Sequence, residues 1–410
     1  MSRPQADDLP LAEALARVLA ATAPVAGRQR LALTEAHGHV LAAPACAGCD
    51  SPPFAASAMD GYALAAASGA AGTELPVLGQ ALAGHPHAAP VPMGACVRIT
   101  TGGPVPAGCD AVIPQEDVER RTTAVRLGRT VRAGENVRAR GEECTAGEVL
   151  FAAGHRLDAM ALATLAGVGV AEVETVRPLR VTIASSGDEL TAAGAPLAPG
   201  HIYERNRPLL RALLAPYGVQ LRDLGVLSDR PAALEALVAA GAEADLLITT
   251  GGVSVGDADL LVPLLAREGQ IGFWRARIKP GRPVLFGRLA GAHYFGLPGN
   301  PVSALVTFLL LVRPALLRLS GAAYRPPPRW PARLEAPLRK RPGRLELQRG
   351  RLRFDAGGAL PTVRPLGAQG SHLLREAAEA DCLIQLEESR GELDAGEIVP
   401  VLSLRELLAP

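Results

Sequence analysis

Beyond Pro178 the chain alternates short apolar, β-rich runs with stretches of helical periodicity, and that alternation narrows the possible folds more than any other feature. Strand-like segments at 179–184, 219–226 and 245–250 are each followed by helical patterns, at 208–215, 231–240 and 258–267. More β-rich material at 271–278, 284–289 and 293–296 precedes a long helical pattern over 301–319. Helices interleaved with short strands imply a mostly parallel sheet covered on both faces. Upstream the texture differs. Leu11, Leu15, Val18 and Leu19 recur at helical spacing until Pro24 and Gly27 close the pattern. From about Phe54 to Arg140, short β segments are punctuated by Gly and Pro, and a helix near 160–165 and a strand follow. A β module therefore interrupts an α/β piece. The run Tyr324-Arg-Pro-Pro-Pro-Arg329 reads as a stiff linker, with β signals at 344–348, 351–354 and 398–402 beyond it.

The expected fold is multidomain α/β plus β: a central three-layer α/β domain with a mostly parallel sheet, an inserted all-β domain and a small C-terminal β domain. The expected boundaries are 1–54 with 141–177 for a discontinuous N-terminal α/β domain and 55–140 for the insertion. The ligand-binding α/β domain takes 178–322 and the C-terminal β domain 329–410. A chain of 410 residues has ample apolar material for several cores.

Composition excludes some functions. With 42 Lys+Arg against 41 Asp+Glu the net charge is +1, which argues against a polyanion binder, so no nucleic-acid partner is expected. Aromatics at 3% leave little for base-stacking platforms. The longest apolar run, 304–312 broken by Thr307, is too short to span a bilayer, so no membrane partner is expected either. The polar, acidic N-terminus carries no signal-peptide core, and six cysteines make no disulfide framework, so a cytoplasmic location is the expectation. One skew stands out: Lys279 and Lys340 are the only lysines, and the other cations are arginine.

Ligands of open parallel sheets gather at the carboxyl ends of strands. Three loops leave such ends with polar residues: Ser185-Ser186-Gly187-Asp188-Glu189, the stretch from Thr249 to Asp259, and Gly296-Leu297-Pro298-Gly299-Asn300-Pro301-Val302-Ser303. Glycines let backbone N–H groups approach an anion, and a following helix N-terminus adds positive charge. No Walker A or dinucleotide fingerprint is present. Glu189, Asp229, Asp257 and Asp259 have the chemistry to hold Mg²⁺ against substrate phosphates, although Asp229 also suits a helix cap and Asp259 a first-turn carboxylate. Lys279-Pro280-Gly281-Arg282-Pro283 pairs a point charge with a guanidinium fork in a rigid turn suited to an oxyanion. A lysine kept there, in an arginine-biased chain, needs a reason, and Lys279→Arg is expected to impair function more than Lys340→Arg. Arg339-Lys340-Arg341-Pro342-Gly343-Arg344 reads instead as a solvated hairpin. Cys46-Ala-Gly-Cys49 and the pairs His37/His39 and His85/His87 lack the further ligands that a metal site needs.

Taken in order, Ser57–Tyr62 (SAMDGY), Thr101–Pro104 (TGGP), Ser186–Leu190 (SGDEL), Gly251–Asp259 (GGVSVGDAD), Lys279–Pro283 (KPGRP), Leu297–Ser303 (LPGNPVS) and Gln369–His372 (QGSH) resemble the molybdopterin molybdenumtransferases, the MoeA/gephyrin E-domain family. The resemblance implies an elongated homodimer of four-domain subunits that inserts molybdate into adenylated molybdopterin, with Mg²⁺, and releases AMP. It implies catalytic roles for Asp60, Thr101, Glu189, Asp229, Asp259, Lys279 and Arg282, and a metal set of Glu189, Asp229 and Asp259. Substrate-binding positions would be Ser186, Gly187, Asp188, Gly251, Gly252, Ser254, Gly256, Pro298, Gly299, Asn300 and Pro301. Lys279 and Arg282 with Ser303, Arg349 and Ser371 would gather the molybdate oxyanion. Asp60 and Thr101 would reach the cleft of the other subunit, and a molybdopterin adenylyltransferase is the implied protein partner. Arg275 and Arg282 stand where the family often has lysine, Glu143 where aspartate is common, and Ser186 replaces a usual threonine. Two other readings stay open, a molybdopterin-binding scaffold without turnover and a molybdopterin adenylyltransferase.

Overall fold

The computed structural model describes residues 8–228, 231–252, 261–354, 357 and 360–409. Its centre is a six-stranded sheet in the spatial order Gln220–Leu227, Arg180–Ser186, Leu246–Thr250, Ala292–Leu297, Leu285–Leu289, Gly269–Trp274. The first four are parallel, and Leu285–Leu289 is antiparallel to both its neighbours. That reversal follows from the two-residue link Ala290-Gly291, both at positive φ, the geometry of a tight hairpin. The sheet is thus mixed at one edge rather than uniformly parallel.

Side chains alternate between faces with the strand period of two. Leu246, Ile248, Phe295 and Leu297 pack with Leu210 and Leu214 of helix Asn206–Leu214 and with the helix Pro301–Leu319. Leu247, Tyr294 and Leu285 face the other way, against Leu237 and Leu264. The helix Pro301–Leu319 contains a π-helical stretch, Phe308–Val312, just before Pro314. Proline lacks the N–H that would bond four residues back, and a widened turn absorbs the gap. At 19 residues and a mean hydropathy of 1.9 this helix is long and apolar enough to cross a membrane, unlike the shorter run read from sequence, yet 89% of that stretch is buried within the protein.

The first strand, Arg28–Ala32, pairs antiparallel with Glu172–Val176. That pairing closes the chain around the β insertion, whose six strands run in the order Ala111–Pro114, Gly61–Leu64, Cys96–Ile99, Glu74–Ala81, Ala124–Leu127, Val118–Arg120. Near the C-terminus, Leu345–Arg353 pairs with both Thr362–Pro365 and Cys382–Leu386, and Trp330–Leu334 and Ile398–Ser403 complete a barrel-like ring. The sequence pattern splits Leu345–Arg353 into two β signals, where one strand of nine residues forms. The barrel also takes in a strand from outside itself: Ile278–Lys279 lies parallel to Leu345-Glu346.

Of the expected solvated hairpin, Arg339, Arg341, Pro342, Gly343 and Arg344 are exposed, but Lys340 is not. Lys340 is 4% exposed, and its ammonium donates to the carbonyls of Arg341, Glu388 and Arg390 at 3.3, 3.3 and 2.9 Å. Three carbonyls converging on one point suit an ammonium with three rotatable donors, not a planar fork.

His293, on the central sheet, is 5% exposed, and the Arg288 guanidinium donates to its Nε2 at 3.1 Å. Burial, then the nearby Arg288 charge, pushes its pKa down to about 4. The unfolded chain takes up that proton near the ordinary value of 6.5, whereas the folded one waits until about 4. Stability from this residue is therefore full above 6.5 and falls as pH drops through that window, by about 3 kcal/mol in all. Denaturant midpoints between pH 7 and 4 measure it, and His293→Gln should flatten that part of the profile.

Candidate active site

At the carboxyl ends of the parallel strands the loops enclose a cleft of about 760 Å³, within the range of small-molecule sites. Its floor exists because two glycines lack side chains. Gly251 has φ +81°, and a Cβ there would lie 2.4 Å from the carbonyl oxygen of Ser186, so the two strand-end loops stack backbone on backbone. Gly187 has φ +147°, and a Cβ there would meet the Glu189 carboxylate at 2.5 Å. Glu189 thus folds over its own loop and faces the cleft with Ser186, Gly187, Gly251 and Gly252. The third loop contributes Pro298, Gly299 and Asn300, and Pro301 starts the helix that carries Ser303.

Sequence reasoning missed the pin that holds these loops. Glu204 is 5% exposed, and its Oε1 accepts from Ser185 Oγ at 2.9 Å and from the backbone N–H groups of Asn206 and Arg207 at 2.7 and 2.9 Å. Asn206 in turn donates to the carbonyl of Gly299 at 2.7 Å, tying the start of its helix to the third loop. The run Glu204-Arg205-Asn206 ahead of a helical pattern is the only sequence signal for this pin.

The barrel forms the far wall. Asn300 Nδ2 donates to Ser371 Oγ at 3.0 Å and Val302 N–H to the Ser371 carbonyl at 3.1 Å, so the Gln369–His372 loop sits on the start of the helix. Arg349 does not line the cleft. It is 2% exposed, and its guanidinium donates to the carbonyls of Ala368 and Gly370 at 2.8 and 3.3 Å, behind the loop that presents Ser371. The cations of the cleft wall are Lys279 and Arg282, joined by Arg205 and Arg344, which the sequence reading did not single out. Arg282 pairs with Asp8 at 2.7 Å, and that carboxylate raises its pKa. Lys279 is half-exposed and pairs with Glu346 at 3.0 Å. Arg275 lies apart, stacked on Trp274 with 5.0 Å from guanidinium carbon to ring centroid. Glu143 accepts from Ser51 Oγ at 2.7 Å, also away from the cleft.

Asp60 and Thr101 meet each other but not this cleft. Asp60 Oδ1 accepts from the Thr101 N–H at 2.6 Å and from Thr101 Oγ1 at 2.8 Å, and these two bonds hold its pKa below the usual carboxylate range. Gly61 beside it is obligatory, since a Cβ would lie 1.9 Å from the carbonyl oxygen of Ile113 on the neighbouring strand. Asp188 follows Gly187 in its loop without lining the cleft. Asp229, Ser254, Gly256, Asp257 and Asp259 lie outside the described residues. Among the described residues no group of three His, Cys, Asp or Glu could hold a metal, and Cys46 and Cys49 are exposed free thiols.

Fold and cleft together define a multidomain α/β protein with a strand-end cleft walled by four cations. The chain matches the family models for the MoeA N-terminal region (domain I and II) over residues 9–169, a probable molybdopterin binding domain over 182–318, and the MoeA C-terminal region (domain IV) over 331–404. It is 40% identical to the molybdopterin molybdenumtransferase of Haemophilus influenzae, over 92% of this chain and 94% of that one. It is 34% identical to molybdopterin molybdenumtransferase 2 of Mycobacterium tuberculosis, over 91% and 94%. The crystal structure of the molybdopterin biosynthesis moeA protein from Pyrococcus horikoshii OT3 superposes with a TM-score of 0.83 at 28% identity, covering 97% of this chain and 100% of that one. The chain belongs to the molybdopterin molybdenumtransferase family, transferases of molybdenum cofactor biosynthesis.

Proposed function

We propose that the chain inserts molybdate into adenylated molybdopterin and releases AMP, and that the cleft between the central sheet and the barrel is where it does so. One observation carries this reading: two carboxylates, four cations and three glycine- or proline-rich strand ends line the same space. The Gly252 backbone N–H suits the phosphates of the substrate, while that of Gly251 donates to the Leu297 carbonyl at 3.1 Å and holds the loop in place. Lys279, Arg282, Ser303 and Ser371 suit the molybdate oxygens, with Arg349 setting the Ser371 loop from behind. Glu189, with Asp229 and Asp259, is an all-oxygen donor set of the kind Mg²⁺ takes, and the ion would neutralise charge on the phosphoanhydride. The homodimer of the reading gives Asp60 and Thr101 their place, since within one chain they stand apart from the cleft. The domain boundaries, a cytoplasmic location and a molybdopterin adenylyltransferase as protein partner belong to the same proposal.

Purified protein given adenylated molybdopterin, molybdate and Mg²⁺ should release AMP, and Glu189→Gln should lower that rate about 100-fold. Tight binding without AMP release would instead establish the scaffold reading, and ATP consumption with molybdopterin the adenylyltransferase one. A second test addresses the shared site. Asp60→Ala and Lys279→Met proteins, each inactive alone, should recover roughly a quarter of wild-type turnover when their subunits are mixed. No recovery would place Asp60 in the service of its own chain.

A further inference from the structure

The only two lysines of the chain flank one buried carboxylate. Glu346 is 4% exposed and lies behind Lys279, outside the cleft lining. Its Oε1 accepts from Lys279 Nζ at 3.0 Å and from Gln348 Nε2 at 2.9 Å. Gln348 also donates to the Arg339 carbonyl at 3.0 Å, which fixes it beside the carboxylate. Lys340 stands near enough that Glu346 and Lys279 both act on its charge. The backbone enforces the arrangement, because Lys279 is directly opposite Glu346 in the parallel pairing that brings Ile278–Lys279 into the barrel sheet.

A buried carboxylate with one oxygen on two donors is costly unless its partners are fixed in place. Lys279, half-exposed on a flexible four-carbon stem, would otherwise sample many rotamers. One N–H on Glu346 leaves two ammonium donors for a second partner, and Lys279 lines the cleft. We infer that Glu346 is a positioning residue for oxyanion capture: it holds the Lys279 ammonium in one place at the cleft wall. The inference rests on the reading of Lys279 as an oxyanion ligand. It also supplies the reason for a lysine here, since a point cation can share itself between a carboxylate behind and an anion in front.

With two lysines in the chain, ¹⁵N-lysine labelling gives two Nζ signals, and Lys279→Met assigns them. In Glu346→Gln the Lys279 ammonium protons should exchange with water at least tenfold faster, and KM for molybdate should rise about tenfold. KM for adenylated molybdopterin should stay within about twofold, a split that general loosening of the fold would not produce. Glu346→Asp, which keeps the charge one methylene short, should recover part of the molybdate KM. An unchanged molybdate KM in folded Glu346→Gln overturns the inference. Should that variant fail to fold, an unchanged molybdate KM in Glu346→Asp overturns it equally. If Lys279→Met leaves the molybdate KM unaltered while Lys279 exchange still responds to Glu346, the functional reading of the cleft has failed and this inference with it.

Discussion

Lys340→Arg should destabilise the C-terminal barrel by roughly 3 kcal/mol, whereas Lys279→Arg should fold as the native chain does. The contrast comes from what surrounds each ammonium. Lys340 is buried, and its donors end on three carbonyls belonging to two separate stretches of backbone. A guanidinium is larger and planar, so it overpacks the site and strands at least one of those carbonyls. Lys279 has about half its side chain in solvent, where the longer group can be accommodated. Its cost should fall on molybdate insertion instead. Hydrogen exchange of the barrel strands in the two variants measures the first effect, and AMP release the second. A Lys340→Arg barrel as protected as the native one would show that the three carbonyls do not select for an ammonium.

That outcome revises the reading of the arginine bias. The sequence marks both lysines as exceptions but supplies a reason for Lys279 alone, because Lys279 sits in a recognisable turn motif. Lys340 lies in a run of cations with Pro and Gly, the usual signature of a solvated turn. Its burial arises from Glu388 and Arg390, about fifty residues away, and such contacts leave no local trace. Glu204 is hidden for the same reason. A carboxylate ahead of a helix reads as a surface cap until Ser185 and Asn206 are seen to close over it. The strand-end loops are legible because their constraint is local. Gly187, Gly251 and Pro301 each mark a backbone conformation or helix start that few other residues permit. The antiparallel edge is only half legible. Its β-rich runs are visible, but its direction depends on the conformation of Ala290-Gly291, which contains none of the stronger hairpin dipeptides.

Gly251→Ala should reduce AMP release by 100-fold or more, through two effects that act on one atom. The residue holds a left-handed φ of +81°, and the new methyl would lie 2.4 Å from the Ser186 carbonyl oxygen, which is backbone and has no rotamer to escape into. Relief requires the loops carrying Ser186 and Gly252 to separate, and both face the cleft. A shift of about 1 Å at such a site is enough to cost two orders of magnitude. Gly391→Ala is the control, because among the described residues a Cβ there meets nothing within 4 Å. Native turnover by Gly251→Ala would mean that loop stacking at this point does not set the geometry of catalysis.

The apolar interior does not respect the proline-rich linker. Leu345, Leu347, Leu383, Leu402, Leu404 and Leu407, all beyond Tyr324–Arg329, belong to the same buried cluster as Ile248, Phe295 and Leu316. A deletion made at that linker would strip one side of the central sheet's own interior rather than detach an appendage. The barrel keeps a core of its own around Ala332, Val363 and Ile384 but also shares part of the sheet's interior, so a ligand bound along the wall they share bears on both.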